Sequence, residues 1–385
     1  MKIIYYTHPY FADCDFPLIR ELRNQGHKII CILVITQDSL KSTLINIKKT
    51  FPKNGFFSTN IYPEIEFYKD YIGSEDTYIL NNVTPKKNFI EKLKFMVQTR
   101  NFINQFKADY IWTTLPFKQN EWILYSFKNI AITIHDPFPH SGEELSLRNK
   151  INKILALKLS KKIFILNQSL KKQFSESFNI PPSKIFTNKL GLYDCIKLYN
   201  PNTSKIEIQK PYILFYGRIS KYKGVEYLLE AFIKLHKLIP ELNLIIAGGG
   251  DFYFDYKKYS NLNYINIRNY FINMDETAFL FKNADFVVCP YTDATQSGVI
   301  MTAYTMNKPV IASDVGAIKE TVINNETGLL VKPKDINELF DKMHLLYTDK
   351  KLKNTIENNI KNKYSKGENS WPNISKEFIL ALENK

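Results

Sequence analysis

The chain has 385 residues, 44% of them hydrophobic, and carries 52 Lys and Arg against 38 Asp and Glu, a net charge of +14. Such a length exceeds one ordinary compact core and predicts two domains, while the apolar content excludes wholesale disorder. The cation excess suits anionic partners (nucleic acid, phosphorylated small molecules or an anionic membrane face) without choosing among them.

No apolar run reaches the ~20 residues that span a bilayer. The start "MKIIYYTHPYF" has no basic lead-in and no small-residue cleavage site, so it reads as a first strand of a cytoplasmic protein. Cys14, Cys31, Cys195 and Cys289 are scattered without CxxC spacing. That is neither a disulfide framework nor a zinc site, and it fits a reducing compartment.

In chain order, "KIIYYTH" is a buried-strand run and "DFPLIRELRNQGHKI" a helix with Pro17 in its first turn and Gly26 as its stop. "KIICILVIT" is a second strand. The stretch from about Ser39 to Thr84 is polar, aromatic and irregular, and no element is assigned there. Further strands are predicted at "DYIWTTL", "IAITIHD" and "KKIFILN", with a helix near "SLKKQFSESF". Strands alternating with helices imply βαβ units and a parallel sheet. "LYNPNTSKIEIQKP", residues 198 to 211, is polar and carries two prolines; it reads as an interdomain linker.

The second half repeats the alternation. "PYILFYG", "LNLIIAGGGD", "DFVVCPY" and "KPVIASD" are strands and "TGLLVKP" is extended. "GVEYLLEAFIKLHKLI", "NMDETAFLFKNA", "GVIMTAYTMN", "INELFDKMHLLYTD" and the tail "SWPNISKEFILALENK" are helices. The expected domains are 1–200 and 211–365, both Rossmann-like, with a C-terminal helix at 366–385 packing back on the first. Ligands in such sheets bind at the carboxyl ends of the strands.

"ILFYGRISKYKGVEYLLEAF" is the informative stretch. A strand ends at Gly217, a basic loop follows, and Lys223-Gly224 open a helix. Arg218, Lys223 and the helix-start N–H groups thus gather where an anion is favoured, the helix end contributing ~0.3–1 kcal/mol. Read alone, the stretch is also compatible with an exposed basic turn. Downstream follow "LIIAGGGD", "FKNADFVVCPY", "TQSGVIMTAY", "KPVIASDVGAIKETV" and "NETGLLVKP". This succession resembles the C-terminal half of glycosyltransferase family 4, the retaining, nucleotide-sugar-dependent enzymes of GT-B fold: α/β, two Rossmann-like domains facing across a cleft.

The resemblance implies that Arg218 and Lys223 hold the donor's diphosphate. Fixed cations aimed at charge developing on a leaving group stabilise the transition state more than the ground state. It also implies a donor-binding role for Gly217 and for the looped backbone Gln296, Ser297, Gly298 and Val299 before a second helix start; "TQSG" is equally an N-terminal cap. The family usually has a pair of glutamates here, and their positions fall on Ala294 and Thr302. Asp293, one residue early, is the stand-in for the first, and Thr302 the weaker one for the second. Glu320 matches an acidic family position and reads first as structural.

In "AITIHDPFPHSGEE" the family resemblance makes His135 the catalytic candidate that contacts the donor sugar, with His140 on the acceptor side. The alternatives are a polar turn, or a metal site of His135, Asp136 and His140, which the stiffening Pro137 and Pro139 disfavour. Asp13 and Asp15, at the first helix start, are either caps or acceptor contacts.

The implied function is retaining transfer of a sugar from a nucleoside-diphosphate sugar to a glycan or lipid-linked acceptor, in bacterial envelope polysaccharide assembly. No cofactor is expected and the reaction is expected to be metal-independent. The basic, aromatic stretch "KLKFMVQTRNFINQFK" is compatible with peripheral contact with an anionic membrane, and more commonly such a pattern is a solvated helix with an apolar core face. The alternatives are a non-catalytic nucleotide-sugar-binding subunit and a GT-B-fold sugar-nucleotide epimerase. No nucleic-acid module is recognised.

Overall fold

The computed structural model describes residues 1–86, 88–139, 146–202 and 206–384. The chain divides into two compact units. One comprises Met1–Pro137, the continuation to Leu190, and the C-terminal segment from Trp371; the other is built on Gly191–Ser370.

The first unit holds β1 (Lys2–Thr7), β2 (Lys28–Thr36), β3 (Gly55–Ser58), β4 (Thr77–Asn82), β5 (Tyr110–Thr113), β6 (Ile130–Ile134), β7 (Lys162–Ile165) and β8 (Ile185–Thr187). Their order is β3-β4-β2-β1-β5-β6-β7-β8, parallel except for β3 against β4. The central strands are apolar without alternation because both sheet faces are covered: β2 buries seven consecutive residues from Ile29 to Ile35.

Helix α1 (Ala12–Asn24) returns β1 to β2. It gains a turn ahead of the predicted start because the 3-10 turn Pro9–Phe11 runs into it. Pro17 therefore sits inside the helix, buried, and forgoes one backbone hydrogen bond. The helices α2 (Phe89–Asn104) and α3 (Leu147–Leu159) follow β4 and β6. The 198–211 stretch lies within the second unit, which begins at Gly191.

That unit contains β9 (Tyr212–Tyr216), β10 (Asn243–Ala247), β11 (Ile265–Arg268), β12 (Val287–Cys289), β13 (Val310–Ser313) and β14 (Gly328–Val331), all parallel, in the order β11-β10-β9-β12-β13-β14. Helix α4 (Val225–His236) follows β9, and α5 (Gly298–Thr305) follows β12. α4 buries Val225, Leu228, Leu229, Phe232 and Leu235 on one helical face. The last helix, α6 (Trp371–Glu383), belongs to the first unit. There Gln25 Nε2 donates to the Pro372 carbonyl at 2.8 Å, and Phe378 lies against Trp112 with ring centroids 4.9 Å apart.

Candidate active site

In the second unit, the carboxyl ends of β9 and β12 meet. Behind β9 the chain turns at Gly217 and runs beside the β10 end, where Ile219 N–H donates to the Gly249 carbonyl at 3.0 Å. A 3-10 turn, Lys221–Lys223, then delivers Gly224, whose φ of +64° is a left-handed conformation. Only glycine suits this position, since a Cβ would lie 2.0 Å from the Pro290 carbonyl oxygen. The Thr292 N–H donates to the Tyr222 carbonyl at 2.8 Å, tying the basic loop to the segment after β12.

The sequence-predicted groups of this half lie along that seam. Arg218 is exposed and Lys223 half-buried. The Lys223 ammonium sits 3.7 Å from the Tyr291 ring centroid, which holds its position while leaving its positive charge intact. A side chain at Gly217 would meet Val299 Cγ2 at 3.6 Å, so the β9 turn abuts the first turn of α5.

Ser297 occupies the N-cap of α5 but makes no side-chain cap; its hydroxyl is paired with Tyr291 Oη at 3.2 Å. Gly298 is required by packing, because a Cβ there would fall 2.5 Å from the Tyr193 ring. Gln296 Oε1 and Ser220 Oγ are buried without a hydrogen-bond partner among the described residues. A buried acceptor without a partner costs about 1–3 kcal/mol, so two at one seam mark a place where a polar ligand is complementary. Half-buried Asp293 stands beside Ala294, which is buried. Thr302 donates its hydroxyl back to the Gly298 carbonyl at 3.0 Å. Glu320 is exposed in the short helix Ile318–Thr321.

The first unit gathers a different set. His135 follows β6, is 7% exposed, and stacks on Phe11 at 4.3 Å between centroids. Its Nε2 lies 3.9 Å from Cys14 Sγ. Burial lowers its pKa against the opposing pull of Asp136, so the ring is neutral. Asp15, 2% exposed, accepts hydrogen bonds from Tyr5 Oη at 2.9 Å and from Thr7 Oγ1. Burial pushes it up to about 7. Half-buried Asp13 is likewise pushed up to about 7, by desolvation first and by Asp15 second.

Cys14, Asp15 and His135 line a cavity of about 20 Å³, with donor atoms within 4.8 Å of one another. Three such donors are a conceivable cation shell, yet Asp15 is already committed to Tyr5 and Thr7. Sequence reading missed Cys14 and Asp15 as companions of His135, because more than a hundred residues separate them and spacing carries no signal. Beyond Asp136, the Pro137 carbonyl accepts from Lys153 Nζ at 2.7 Å. His140 lies outside the described residues.

Residues 200–363 match the family model of glycosyl transferases group 1. This region is a group 1 glycosyl transferase domain. The chain is 29% identical over 243 residues to the uncharacterized glycosyltransferase MJ1607 of Methanocaldococcus jannaschii, an alignment covering 57% of this chain and 60% of that protein. It is 26% identical over 306 residues to the capsular polysaccharide biosynthesis glycosyltransferase CapM of Staphylococcus aureus, covering 76% and 74%. The fold as a whole matches a glycosyltransferase from Rickettsia africae (TM-score 0.66, 17% identity, 100% and 99% of the two chains). It also matches Anabaena HepE solved in complex with UDP-glucose (TM-score 0.66, 14% identity, 99% of each chain). The fold class is therefore the expected GT-B one, α/β with two parallel-sheet Rossmann-like domains.

Proposed function

We propose that the chain is a retaining glycosyltransferase that moves a sugar from a nucleoside-diphosphate sugar to a hydroxyl of a glycan or lipid-linked acceptor. The observation that carries this reading is the seam in the group 1 domain. There the Arg218–Lys223 turn abuts the start of α5, beside the unpartnered Gln296 Oε1 and Ser220 Oγ. A cationic turn with unsatisfied polar groups at strand ends suits a pyrophosphate and its attached sugar.

In the reaction the bond between the sugar's anomeric carbon and the diphosphate oxygen breaks, and the diphosphate leaves with the electron pair. The acceptor oxygen bonds to that carbon from the same face, and its proton passes to the departing phosphate oxygen. Negative charge grows on the diphosphate as the bond lengthens. Arg218 and Lys223 then favour the transition state over the bound donor, which is why they raise turnover as well as affinity. Lys223 rests against the Tyr291 ring, which restrains its position. His135, held neutral, takes the role of a hydrogen-bonding contact to the sugar. Asp13 is the acceptor-side candidate. Asp293, Ser297, Val299 and Thr302 line the donor segment.

Similarity to a capsular polysaccharide glycosyltransferase supports an envelope polysaccharide or glycolipid as product. Among the described residues no helix is long and apolar enough to cross a membrane.

Screening UDP-, GDP- and ADP-sugars for thermal stabilisation identifies the donor, because a ligand bound only by the folded state raises the melting temperature. Transfer to a hydroxyl acceptor, insensitive to a chelator and with the anomeric configuration kept, is the expected outcome. A product of inverted configuration, or donor binding without transfer or hydrolysis, contradicts the proposal.

A further inference from the structure

We infer that the second unit carries a binding site for an uncharged glycan at the amino ends of β10 and β11, apart from the donor seam at the carboxyl ends of β9 and β12. Chain topology opens it. From β9 the sheet grows outward through β10 to β11, and the helix Met274–Asn283 then steps back to β12. Right-handed crossovers place that helix on the face opposite α4. It lies over β9, where Tyr212 Oη donates to the Leu280 carbonyl at 2.8 Å. The outer part of the same face, over β10 and β11, is walled by Phe279 and residues 206–209 and holds a cavity of about 590 Å³. Asn243 and Ile245 alternate along β10 and share this face, and Ile245 is in register with Asn266 of β11. A second cavity of about 350 Å³ adjoins the first, sharing Gln209, Asn243, Asn263 and Tyr264 with it. Ligand sites occupy roughly 300–1,000 Å³, so the joined trough accommodates a ligand of more than one ring.

The lining chemistry suits a sugar. Gln209, Asn263 and Asn266 present carboxamides, each of which donates and accepts, the capacity that sugar hydroxyls require. All three residues are exposed, and among the described residues their side chains are not spent on one another or on the backbone. Asn243 Nδ2 is already used by the Pro211 and Glu241 carbonyls, at 3.2 and 3.1 Å, and so stiffens one end of the trough. Tyr264 supplies an aromatic surface for the C–H groups of a pyranose. Its ring stacks on His236 with centroids 3.5 Å apart, and His236 Nδ1 in turn donates to the Leu242 carbonyl at 3.0 Å. The ring is therefore fixed before any ligand arrives, which lowers the ordering cost of binding.

Charge argues against an anion. The titratable side chains lining the trough are Glu207, Glu241, Lys210 and His236. Lys210 Nζ is engaged by Asn283 Oδ1 at 2.6 Å. In a chain of net charge +14, this trough is a place without cation excess, so a phosphate or nucleotide gains little there while an uncharged glycan loses nothing. Its use, keeping a glycan chain on the protein between transfers, rests on the proposed reaction; the binding itself does not.

The test is calorimetric titration of maltohexaose, isomaltohexaose and chitohexaose, with hexagalacturonate as the anionic counterpart, into the purified full chain. At least one neutral hexasaccharide is expected to bind with a Kd of about 1 mM or tighter, and hexagalacturonate more weakly. The double substitution Gln209→Ala, Asn266→Ala should weaken that binding about tenfold or more, the loss of two hydrogen bonds. Its melting temperature should be unchanged, as both side chains are exposed. The Arg218→Ala, Lys223→Ala protein should bind the same glycan as the wild type does. Binding of none of the three neutral glycans, equal or tighter binding of hexagalacturonate, or binding that survives the trough substitutions overturns the inference. So does binding lost with Arg218 and Lys223 instead. Nucleoside-diphosphate affinity, measured on the same samples, reports on the donor-site reading independently.

Discussion

The two units build their candidate groups from opposite materials. In the group 1 domain the key features are backbone turns and cations: Gly224 in the left-handed region, Arg218 on an exposed position, Lys223 against an aromatic ring. In the first unit they are titratable side chains that desolvation biases toward the neutral form: buried His8, His135 and Asp15, and half-buried Asp13. On the proposed reading, a turn that grips a highly charged diphosphate keeps its charge accessible, and a wall beside a neutral sugar keeps its polar groups largely uncharged and fixed by packing.

The largest expected effect sharpens that contrast on the charged side. Replacing both Arg218 and Lys223 with Ala should lower the transfer rate by roughly a thousandfold or more, since on the proposed reading each meets charge that develops in the transition state. A product-formation assay reads this directly, and a rate within tenfold of the wild type would break the contrast.

Backbone strain separates the units next. Gly224→Ala combines φ of +64° with a Cβ only 2.0 Å from the Pro290 carbonyl oxygen. It should cost about 2–4 kcal/mol in a denaturant melt. Gly26→Ala in the first unit, at φ +84° with nothing within 4 Å, should cost only about 1 kcal/mol. Similar losses at both positions would mean that the contact at Gly224 is relieved by a shift of the loop.

Protonation belongs to the first unit. Burial, aided by Lys118, lowers the pKa of His8 to about 3, whereas an unfolded histidine titrates near ~6.5. The unfolded chain takes the proton first as pH falls. This contribution is whole above ~6.5 and is lost toward pH 3, at about 1.4 kcal/mol per pH unit. Asp15, raised to about 7, runs the other way: its contribution is whole below ~4 and declines as pH rises to 7. His8→Asn should therefore remove an acid-side loss, and Asp15→Asn should expose it more fully. Stability measured between about pH 4.5 and 6.5 checks both signs.

The smallest effect concerns Thr302, whose hydroxyl is spent on the Gly298 carbonyl. Thr302→Val should change donor affinity by less than about threefold, and a tenfold loss would assign that hydroxyl to the nucleotide.

The group 1 domain was the more legible half, because its site is a local string: strand, glycine, basic loop, helix. Strands such as β2 and β9 were readable as unbroken apolar runs. The 39–84 region hid β3 and β4 because polar residues serve internally there. Asn81 in β4 accepts from Tyr62 Oη at 2.7 Å and donates to the Phe51 and Lys53 carbonyls, so a core position reads as a loop residue. β8 (Ile-Phe-Thr) and β11 (Ile-Asn-Ile-Arg) hold only two apolar residues each, so neither shows as an apolar run. α2 resisted a clear reading because it is apolar on both its core and solvent sides. The meeting of Cys14 with His135 depends on the parallel order of β1 and β6 in the sheet, which no local pattern encodes.

Calorimetric titration of the free nucleoside diphosphate and of the bare nucleoside into the wild type and the Arg218→Ala, Lys223→Ala protein tests the central claim most directly. The wild type should bind the diphosphate far more tightly than the nucleoside, and the variant should lose most of that preference while keeping its nucleoside affinity. An undiminished preference for the diphosphate in the variant would show that another part of the molecule holds the phosphates.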